Sequence, residues 1–205
     1  MGRVQGKVAF ITSAGRGQGR SHAIRVAEEG ADIIATDICG PIQGVPYELA
    51  TSDDLEVTVK AVESPGRRIV ARPADVRRVE QLEAAVADGV AELGRLDIVC
   101  ANAGITGAYE PAPELARRVE MFEMVVDVNL TGVFRTVEVC KQSLIDSGPG
   151  GSIVITSSLA GLRALGAGGG VYRVQAWSQI WRTRRNRKPG AEVPKPAPDS
   201  LHGCW

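Results

Sequence analysis

The sequence predicts an α/β protein built on a doubly wound parallel sheet, with helices on both faces in a three-layer arrangement. Short apolar runs rich in β-branched residues, such as Lys7–Thr12 and Ala31–Thr36, are typical of strands that are buried on both faces. Amphipathic helical patterns separate these runs. Because parallel strands need long crossover connections, strands that alternate with helices in this way indicate βαβ units.

The expected elements follow one another in a regular order. Strands are predicted at Lys7–Thr12, Ala31–Thr36, Arg68–Ala71, Leu96–Cys100 and Gly151–Thr156. Helices are predicted over about Gly19–Glu29, Val76–Leu93 and Leu115–Ile145. The prediction of the second helix depends on apolar residues that recur at spacings of three and four, namely Val76, Val79, Leu82, Val86, Val90 and Leu93. An extended loop is expected over Cys39–Ser52.

The composition is that of an ordinary globular protein. Of 205 residues, 44% are hydrophobic and 23% are charged, and the 24 basic residues balance the 24 acidic ones. A net charge of zero provides no general attraction to nucleic acid or membrane. Neither a membrane-spanning run nor a signal peptide is recognisable. The cysteines lack metal-ligand spacing, and three lie in apolar segments, so we expect reduced thiols, no metal site and a cytoplasmic protein.

The composition changes after Tyr172. Residues 173–205 contain all three tryptophans, a basic cluster over Arg182–Lys188 and several prolines. We therefore predict one domain over 1–172, followed by a basic, proline-rich, disordered tail over 173–205. The basic cluster with Trp177 and Trp181 also permits single-stranded nucleic-acid binding, although such runs are more often solvated.

A glycine-rich turn follows the first predicted strand and opens the first helix. Its sequence is Thr-Ser-Ala-Gly-Arg-Gly-Gln-Gly over residues 12–19. Glycines in such a turn let backbone amides approach a pyrophosphate, and the helix N-terminus adds a partial positive charge. Asp37 ends the next strand about 20 residues on, where a dinucleotide-binding protein has an acid for the adenosine ribose.

These motifs resemble those of the short-chain dehydrogenase/reductase family, which implies a Rossmann-type sheet and NAD(P)-dependent hydride transfer. The turn matches the family's cofactor motif at Thr12, Gly17 and Gly19, whereas Ser13 replaces its first glycine. Asp75-Val76 resembles the family's adenine-contacting pair, and Ala101–Gly104 resembles an element beside the cofactor. The cofactor-binding residues implied are Thr12, Ser13, Gly15, Arg16, Gly17, Gln18, Gly19, Asp37, Ile38, Asp75, Val76, Asn102, Ala103 and Gly104.

Two residues favour different forms of the cofactor. In this family, a basic residue at the position of Arg16 can pair with the 2′-phosphate of NADP. The carboxylate of Asp37 would repel that phosphate, and one exposed arginine compensates for little of this cost. We therefore expect NAD rather than NADP.

The same resemblance implies a catalytic set of Asn129, Ser158 and Tyr172. In the family, the serine hydrogen-bonds the substrate oxygen and the tyrosine exchanges its proton, helped by a lysine four positions later. That position holds Ala176 here. Because a phenol otherwise titrates near 10, we expect severely impaired catalysis. A dinucleotide-binding protein without catalysis is the alternative.

A shift of reading frame explains the departure after Tyr172. Arg173–Trp177 can be encoded CGC GTC CAA GCA TGG, and reading one base later gives Ala-Ser-Lys-His-Gly, with the lysine that the family pattern requires. We therefore expect a frameshift or sequencing error that removes the later strands and leaves the fifth strand as an open sheet edge. The family is usually homo-oligomeric, and only one of its two contact helices is expected to be intact here.

A narrower resemblance concerns the loop and its flanks. Gly17–His22, the Cys39–Ser52 loop and Gly161-Leu-Arg resemble the mycofactocin-associated, carveol-dehydrogenase-like subgroup. In that subgroup the loop is thought to cover a tightly held NAD. The resemblance implies oxidation of a small apolar alcohol to a ketone.

Overall fold

The computed structural model describes residues 2–106 and 114–158. Its strands are β1 (Val8–Thr12), β2 (Asp32–Asp37), β3 (Ile69–Pro73), β4 (Ile98–Ala101) and β5 (Ser152–Ile155). Its α-helices are α1 (Gly17–Glu28), α2 (Ser52–Glu63), α3 (Val79–Leu93), α4 (Leu115–Val126) and α5 (Val133–Asp146). A π-helical segment, Asp127–Gly132, joins α4 to α5.

The five strands form one parallel sheet in the order β3-β2-β1-β4-β5. From β1 the chain adds β2 and then β3 toward one edge of the sheet. It then returns to the other side of β1, where it adds β4 and β5. The order therefore reverses between β1 and β4, and ligands of open α/β sheets bind at the carboxyl ends of the strands at such a point.

Side chains alternate along β1 and β2 between two apolar cores, one on each face of the sheet. Phe10 and Ile34 belong to the core beneath α3 and α5, whereas Ile11 and Ile33 belong to the core beneath α1 and α2. Gly89 of α3 lies so close to β2 that an added Cβ would come within 2.5 Å of Ile34. These two cores confirm the three-layer, doubly wound fold class.

The predicted elements are present, with shifted ends and two differences in kind. Helix α2 was not among the predicted elements. The predicted helix over Leu115–Ile145 is interrupted by the π-helical segment. Val76 lies before α3 rather than inside it, because the helix begins at Val79.

Strand β5 ends the sheet within the described part of the chain, where it pairs with β4 alone. Val154 on this strand is half-exposed. The predictions about later strands and the 173–205 tail lie outside the described residues. None of the helices in the described ranges combines the length and apolar character needed to cross a membrane.

Candidate functional site

A crevice opens at the carboxyl ends of the central strands, at the point where the strand order reverses. Its volume is about 640 Å³, open solvent at the mouth included. Eight of the predicted cofactor-binding residues line it: Ser13, Arg16, Asp37, Ile38, Asp75, Val76, Ala103 and Gly104. The sequence did not single out the other lining residues, Ile42, Tyr47, Leu49, Ala50, Ala74, Ile105 and Val128.

The glycine-rich turn is joined to the end of β2 by one hydrogen bond. The backbone amide of Gly15 donates to the Asp37 carboxylate over 2.9 Å, and this carboxylate is only 4% exposed. A Cβ on Gly15 would lie 3.0 Å from the same oxygen and 2.8 Å from the Ala50 side chain. The two elements that a dinucleotide would contact therefore lie side by side.

Two glycines in this turn are required for different geometric reasons. Gly17 has a φ of +58°, which residues other than glycine rarely adopt. A Cβ on Gly19 would lie 1.9 Å from the backbone oxygen of Ser13, which no packing adjustment accommodates. Ser13 itself has a φ of +56° and is therefore strained, as its replacement of a family glycine suggests.

The N-terminus of α1 follows this turn directly. Arg16, which precedes the helix, makes no capping hydrogen bond with its side chain, and the first turn contains no acidic residue. Free backbone N–H groups and the positive end of the helix dipole favour an anion at this place.

Helix α2 supports the turn from behind. The Thr58 hydroxyl donates to the backbone oxygen of Ala14 over 2.8 Å and accepts from the Arg20 side chain over 3.0 Å. The Arg20 guanidinium also donates to the backbone oxygens of Gly15 and Asp54. Sequence reasoning missed this support, although a capping box at the start of α2 was a readable signal.

Thr12 and Asn102 hold the carboxyl ends of three strands together. The Thr12 hydroxyl accepts from the backbone amides of Asn102 and Ala103, each over 3.0 Å. The Asn102 amide group donates to the Thr12 carbonyl over 3.1 Å and accepts from the Thr156 hydroxyl over 2.9 Å. Neither residue is among those that line the crevice, so both support the strand ends beside it.

Asn129 lies in the π-helical segment and is 4% exposed. Its side chain accepts from the Ile105 amide and donates to the Ile105 carbonyl, both over 2.8 Å. Both polar groups of the side chain are thus used to fix the segment after β4. A π-helical turn of this kind is frequent at functional sites.

Asp75 is held by Arg77 in a two-pronged ion pair. The Arg77 guanidinium donates to both carboxylate oxygens, over 2.6–3.0 Å. Burial alone would raise the pKa of Asp75, but the hydrogen bonds from Arg77 outweigh it and hold this pKa below its usual value. The Asp75 carboxylate is therefore charged and turned toward Arg77.

The predicted catalytic residues are only partly covered by the described chain. Ser158 lies three residues beyond the end of β5 and is half-buried. Tyr172 and Ala176 lie outside the described residues. The catalytic roles of Ser158 and Tyr172 therefore stay predictions.

The cysteines of the described chain are not activated nucleophiles. Burial raises the pKa of Cys100 to about 11, and burial together with the charge of Asp37 raises that of Cys39 to about 11. Burial also raises the pKa of Cys140. All three are thiols near neutral pH, consistent with reduced cysteines. No cluster of metal-ligating side chains occurs among the described residues.

A doubly wound sheet with a glycine-rich turn and an acid at the end of β2 defines a dinucleotide-binding protein. The model of the short chain dehydrogenase family matches residues 7–173. The chain belongs to this family.

Several curated relatives are oxidoreductases. An uncharacterised NAD-dependent oxidoreductase of Mycobacterium tuberculosis is 54% identical over 164 residues, which are 80% of this chain and 58% of the relative. The (-)-trans-carveol dehydrogenase of Rhodococcus erythropolis is 48% identical over 165 residues, again 80% and 58% of the two chains. This chain thus spans less than two thirds of the length of these relatives.

Two solved structures share the fold. The carveol dehydrogenase from Mycobacterium avium in complex with NAD superposes with a TM-score of 0.83 at 46% identity, covering 88% of this chain and 65% of that one. A short chain dehydrogenase from Mycobacterium paratuberculosis bound to NAD gives 0.81 at 44% identity, covering 88% and 66%.

Proposed function

We propose that this chain is an NAD-dependent oxidoreductase that transfers hydride between a secondary alcohol or ketone and the nicotinamide, with impaired turnover. The Gly15–Asp37 hydrogen bond carries the proposal, because it brings the turn for the pyrophosphate beside the acid for the ribose. The proposal extends to the whole cofactor-binding set named above.

The residues present fit a dinucleotide. The space beside Gly19 is closed to any side chain, and the α1 N-terminus has no acidic residue in its first turn. Backbone amides at that point are suited to hold a pyrophosphate. Apolar side chains of Val76, Ile42 and Val128 line the crevice and suit an aromatic base.

The charge pattern favours NAD over NADP. The Asp37 carboxylate would face a 2′-phosphate, and like charges at short range are unfavourable. The Arg16 guanidinium donates to the backbone oxygen of Glu48, so it is already engaged with the loop after β2. NAD in the two related structures supports the same choice.

The catalytic roles are proposed residue by residue. Asn129 fixes Ile105 and is a positioning residue, because both of its side-chain polar groups are used on backbone. Ser158 would donate to the substrate oxygen, and Tyr172 would exchange the proton of the alcohol. Bound nicotinamide would accept or donate the hydride.

Ala176 is the reason to expect impaired turnover. Without a cation four positions after Tyr172, nothing in the local sequence lowers the phenol pKa or anchors the nicotinamide ribose, and Arg173 holds its proton too firmly to relay it. The family match ends at residue 173, which supports a departure from the pattern at this point. This observation favours a second candidate function, a dinucleotide-binding protein without catalysis.

The relatives guide the choice of substrate. A carveol dehydrogenase and a cyclohexanol dehydrogenase of Acinetobacter are among them, so we propose a small apolar secondary alcohol or the corresponding ketone. A cytoplasmic location stays a prediction. So does an altered oligomeric state, since only one of the family's two contact helices is expected to be intact.

The purified full chain tests the proposal in two steps. Titration with NADH, followed by its fluorescence, should show one site per chain, and turnover of apolar secondary alcohols should be absent or lower by about two to four orders of magnitude than in full-length relatives. Absence of binding would refute the cofactor site, and turnover at the rate of those relatives would refute the role given to Ala176. Sequencing the gene across the Tyr172 codon tests the frameshift, which is wrong if no frame encodes the lysine-containing segment.

A further inference from the structure

The side chain of Arg20 on α1 links the glycine-rich turn to helix α2. Its Nε donates to the Thr58 hydroxyl over 3.0 Å, and a terminal nitrogen of the same guanidinium donates to the backbone oxygens of Gly15 and Asp54. Only 26% of the side chain is exposed. One guanidinium therefore contacts the turn and α2 at the same time, which its planar array of donors permits.

Asp54 holds this guanidinium in place. One of its carboxylate oxygens accepts from the amide and the hydroxyl of Thr51, over 2.9 and 3.0 Å, and the other lies 3.3 Å from Arg20. The hydrogen bonds from Thr51, and a smaller effect of Arg20, hold the pKa of Asp54 below its usual value. The carboxylate is charged at neutral pH, so the charge of Arg20 is balanced on the α2 side of the turn.

The peptide group between Ala14 and Gly15 shows how the turn is oriented. Its carbonyl accepts from the Thr58 hydroxyl over 2.8 Å, on the α2 side. In a planar trans peptide the C=O and N–H bonds point in opposite directions, so the Gly15 amide points away from α2. It donates over 2.9 Å to Asp37, which lines the crevice.

The same rule applies to the next peptide group, between Gly15 and Arg16. Its carbonyl accepts from the Arg20 guanidinium on the α2 side. Because this peptide is also trans, the Arg16 amide points away from α2, and Arg16 lines the crevice. Two consecutive amides thus face away from α2, the first oriented by Thr58 and the second by Arg20.

We propose that Arg20 is a positioning residue for dinucleotide binding, because it fixes the peptide between Gly15 and Arg16 with its amide directed to the ligand; the proposal rests on the NAD site proposed above. Since Asp54 balances its charge, Arg20 acts through this orientation and not as a cation for the pyrophosphate. Without Arg20, no side chain on Gly15 limits rotation of the peptide, and the free turn samples other orientations. Binding must then order the peptide, which lowers the affinity.

Arg20→Gln and Arg20→Lys test this role in the full chain. NADH titration measures affinity, and urea denaturation measures stability separately. Arg20→Gln should weaken NADH binding about tenfold, the equivalent of about 1.4 kcal/mol. Arg20→Lys keeps the charge, but one ammonium does not replace the fork of donors, so binding should still be about threefold weaker. Arg25→Gln is the control, because Arg25 lies on the same helix with its side chain 79% exposed, and affinity should not change.

Competition by ADP and by adenosine separates positioning from a general loss of structure. ADP carries the phosphates that the turn would hold, so Arg20→Gln should weaken ADP binding by the same factor as NADH binding. Adenosine lacks phosphates, and its binding should weaken by less than about twofold. If Arg20→Gln does not fold, the same comparison in Arg20→Lys decides.

Unchanged NADH affinity in both variants would overturn the positioning role, whatever happens to stability, while the NAD site stands. Equal weakening of ADP and adenosine would also overturn it, because a distorted crevice affects both ligands. Full recovery in Arg20→Lys would mean that the charge matters and the orientation does not. Failure of the wild type to bind NADH would refute the proposed function and this role with it.

Discussion

The Asp37 carboxylate accepts a hydrogen bond from the Gly15 amide over 2.9 Å, although the two residues are separated by 22 positions in the chain. One carboxylate oxygen thus holds the glycine-rich turn, while the residue still lines the crevice. The same side chain therefore has a structural role and an electrostatic one, and the two are separable by substitution.

Asp37→Asn should relax the preference for NAD. The asparagine oxygen can still accept from Gly15, but the negative charge that would face a 2′-phosphate is lost. Coulomb energies of about 1–4 kcal/mol apply to unit charges about 4 Å apart near a protein surface, so the ratio of NADP to NAD affinity should rise at least about fivefold. Competition titrations measure this ratio.

Asp37→Ala is the matched comparison, since it removes both the charge and the acceptor for Gly15. It should weaken binding of both cofactors. Equal ratios of NADP to NAD affinity in wild type and Asp37→Asn would contradict the electrostatic role.

Gly19→Ala should disrupt the turn, whereas Gly17→Ala should only strain it. The added Cβ at Gly19 would lie 1.9 Å from the Ser13 oxygen, so backbone must move, while that at Gly17 meets nothing within 4 Å. We expect a loss of about 3 kcal/mol or more and at least about a hundredfold weaker NAD binding for Gly19→Ala. Gly17→Ala should cost about 1–2 kcal/mol from its positive φ. Urea denaturation and NADH titration of both variants measure these effects, and equal effects would contradict the steric argument.

Ser13→Gly should stabilise the protein. The φ of +56° at Ser13 costs a residue with a Cβ about 1–2 kcal/mol, partly offset by the greater freedom of glycine in the unfolded chain. The free energy of unfolding should rise by about 0.5–1 kcal/mol. Ser13→Ala keeps the Cβ and should bring no such gain, so a gain in both variants would mean that the strain is not the cause.

Asp97 should make the fold sensitive to acid. Burial alone would raise the pKa of this carboxyl, but hydrogen bonds from Arg95, Lys7 and the Val8 amide outweigh it and hold the pKa below its usual value. A carboxyl with a lowered folded-state pKa stabilises the protein above its unfolded pKa of about 4, and this stabilisation disappears as the pH falls through the folded-state value. Asp97→Asn should therefore reduce the free energy of unfolding by about 3 kcal/mol at neutral pH, and the deficit should shrink below about pH 4.

Asp88→Asn is the control for this prediction. Asp88 pairs with Arg72, but both side chains are about half exposed, so water and salt screen the pair. The substitution should change stability by less than about 1 kcal/mol at every pH. Denaturation curves between about pH 3 and 7 compare the two variants, and parallel acid sensitivity would contradict the special role of Asp97.

The sheet was predictable because its strands are continuous apolar runs and its glycines mark the turns between them. Helix α2 was missed because its buried face contains Leu55, Thr58 and Val62, and a threonine interrupts the apolar stripe. That threonine is buried because its hydroxyl binds the glycine-rich turn. A functional contact thus weakened the helical signal.

The part of the crevice formed by the glycine-rich turn and the end of β2 was predictable, because both carry recognisable sequence motifs. The sequence indicated Asp37 and the turn because their spacing is characteristic of dinucleotide sites. It did not indicate Tyr47, whose hydroxyl accepts a hydrogen bond from the Thr106 amide, 59 positions away. The π-helical segment was missed because it continues directly from α4 into α5, with no break between the two helices.

Hydrogen exchange of the full chain, with and without NAD, tests the central claim most directly. Bound NAD should protect the backbone amides of residues 13–19, in the glycine-rich turn and the first residues of α1, and those around Asp37. Gly19→Ala should abolish this protection. NAD that leaves these amides unprotected, or that protects only other parts of the chain, would contradict the assignment of the crevice.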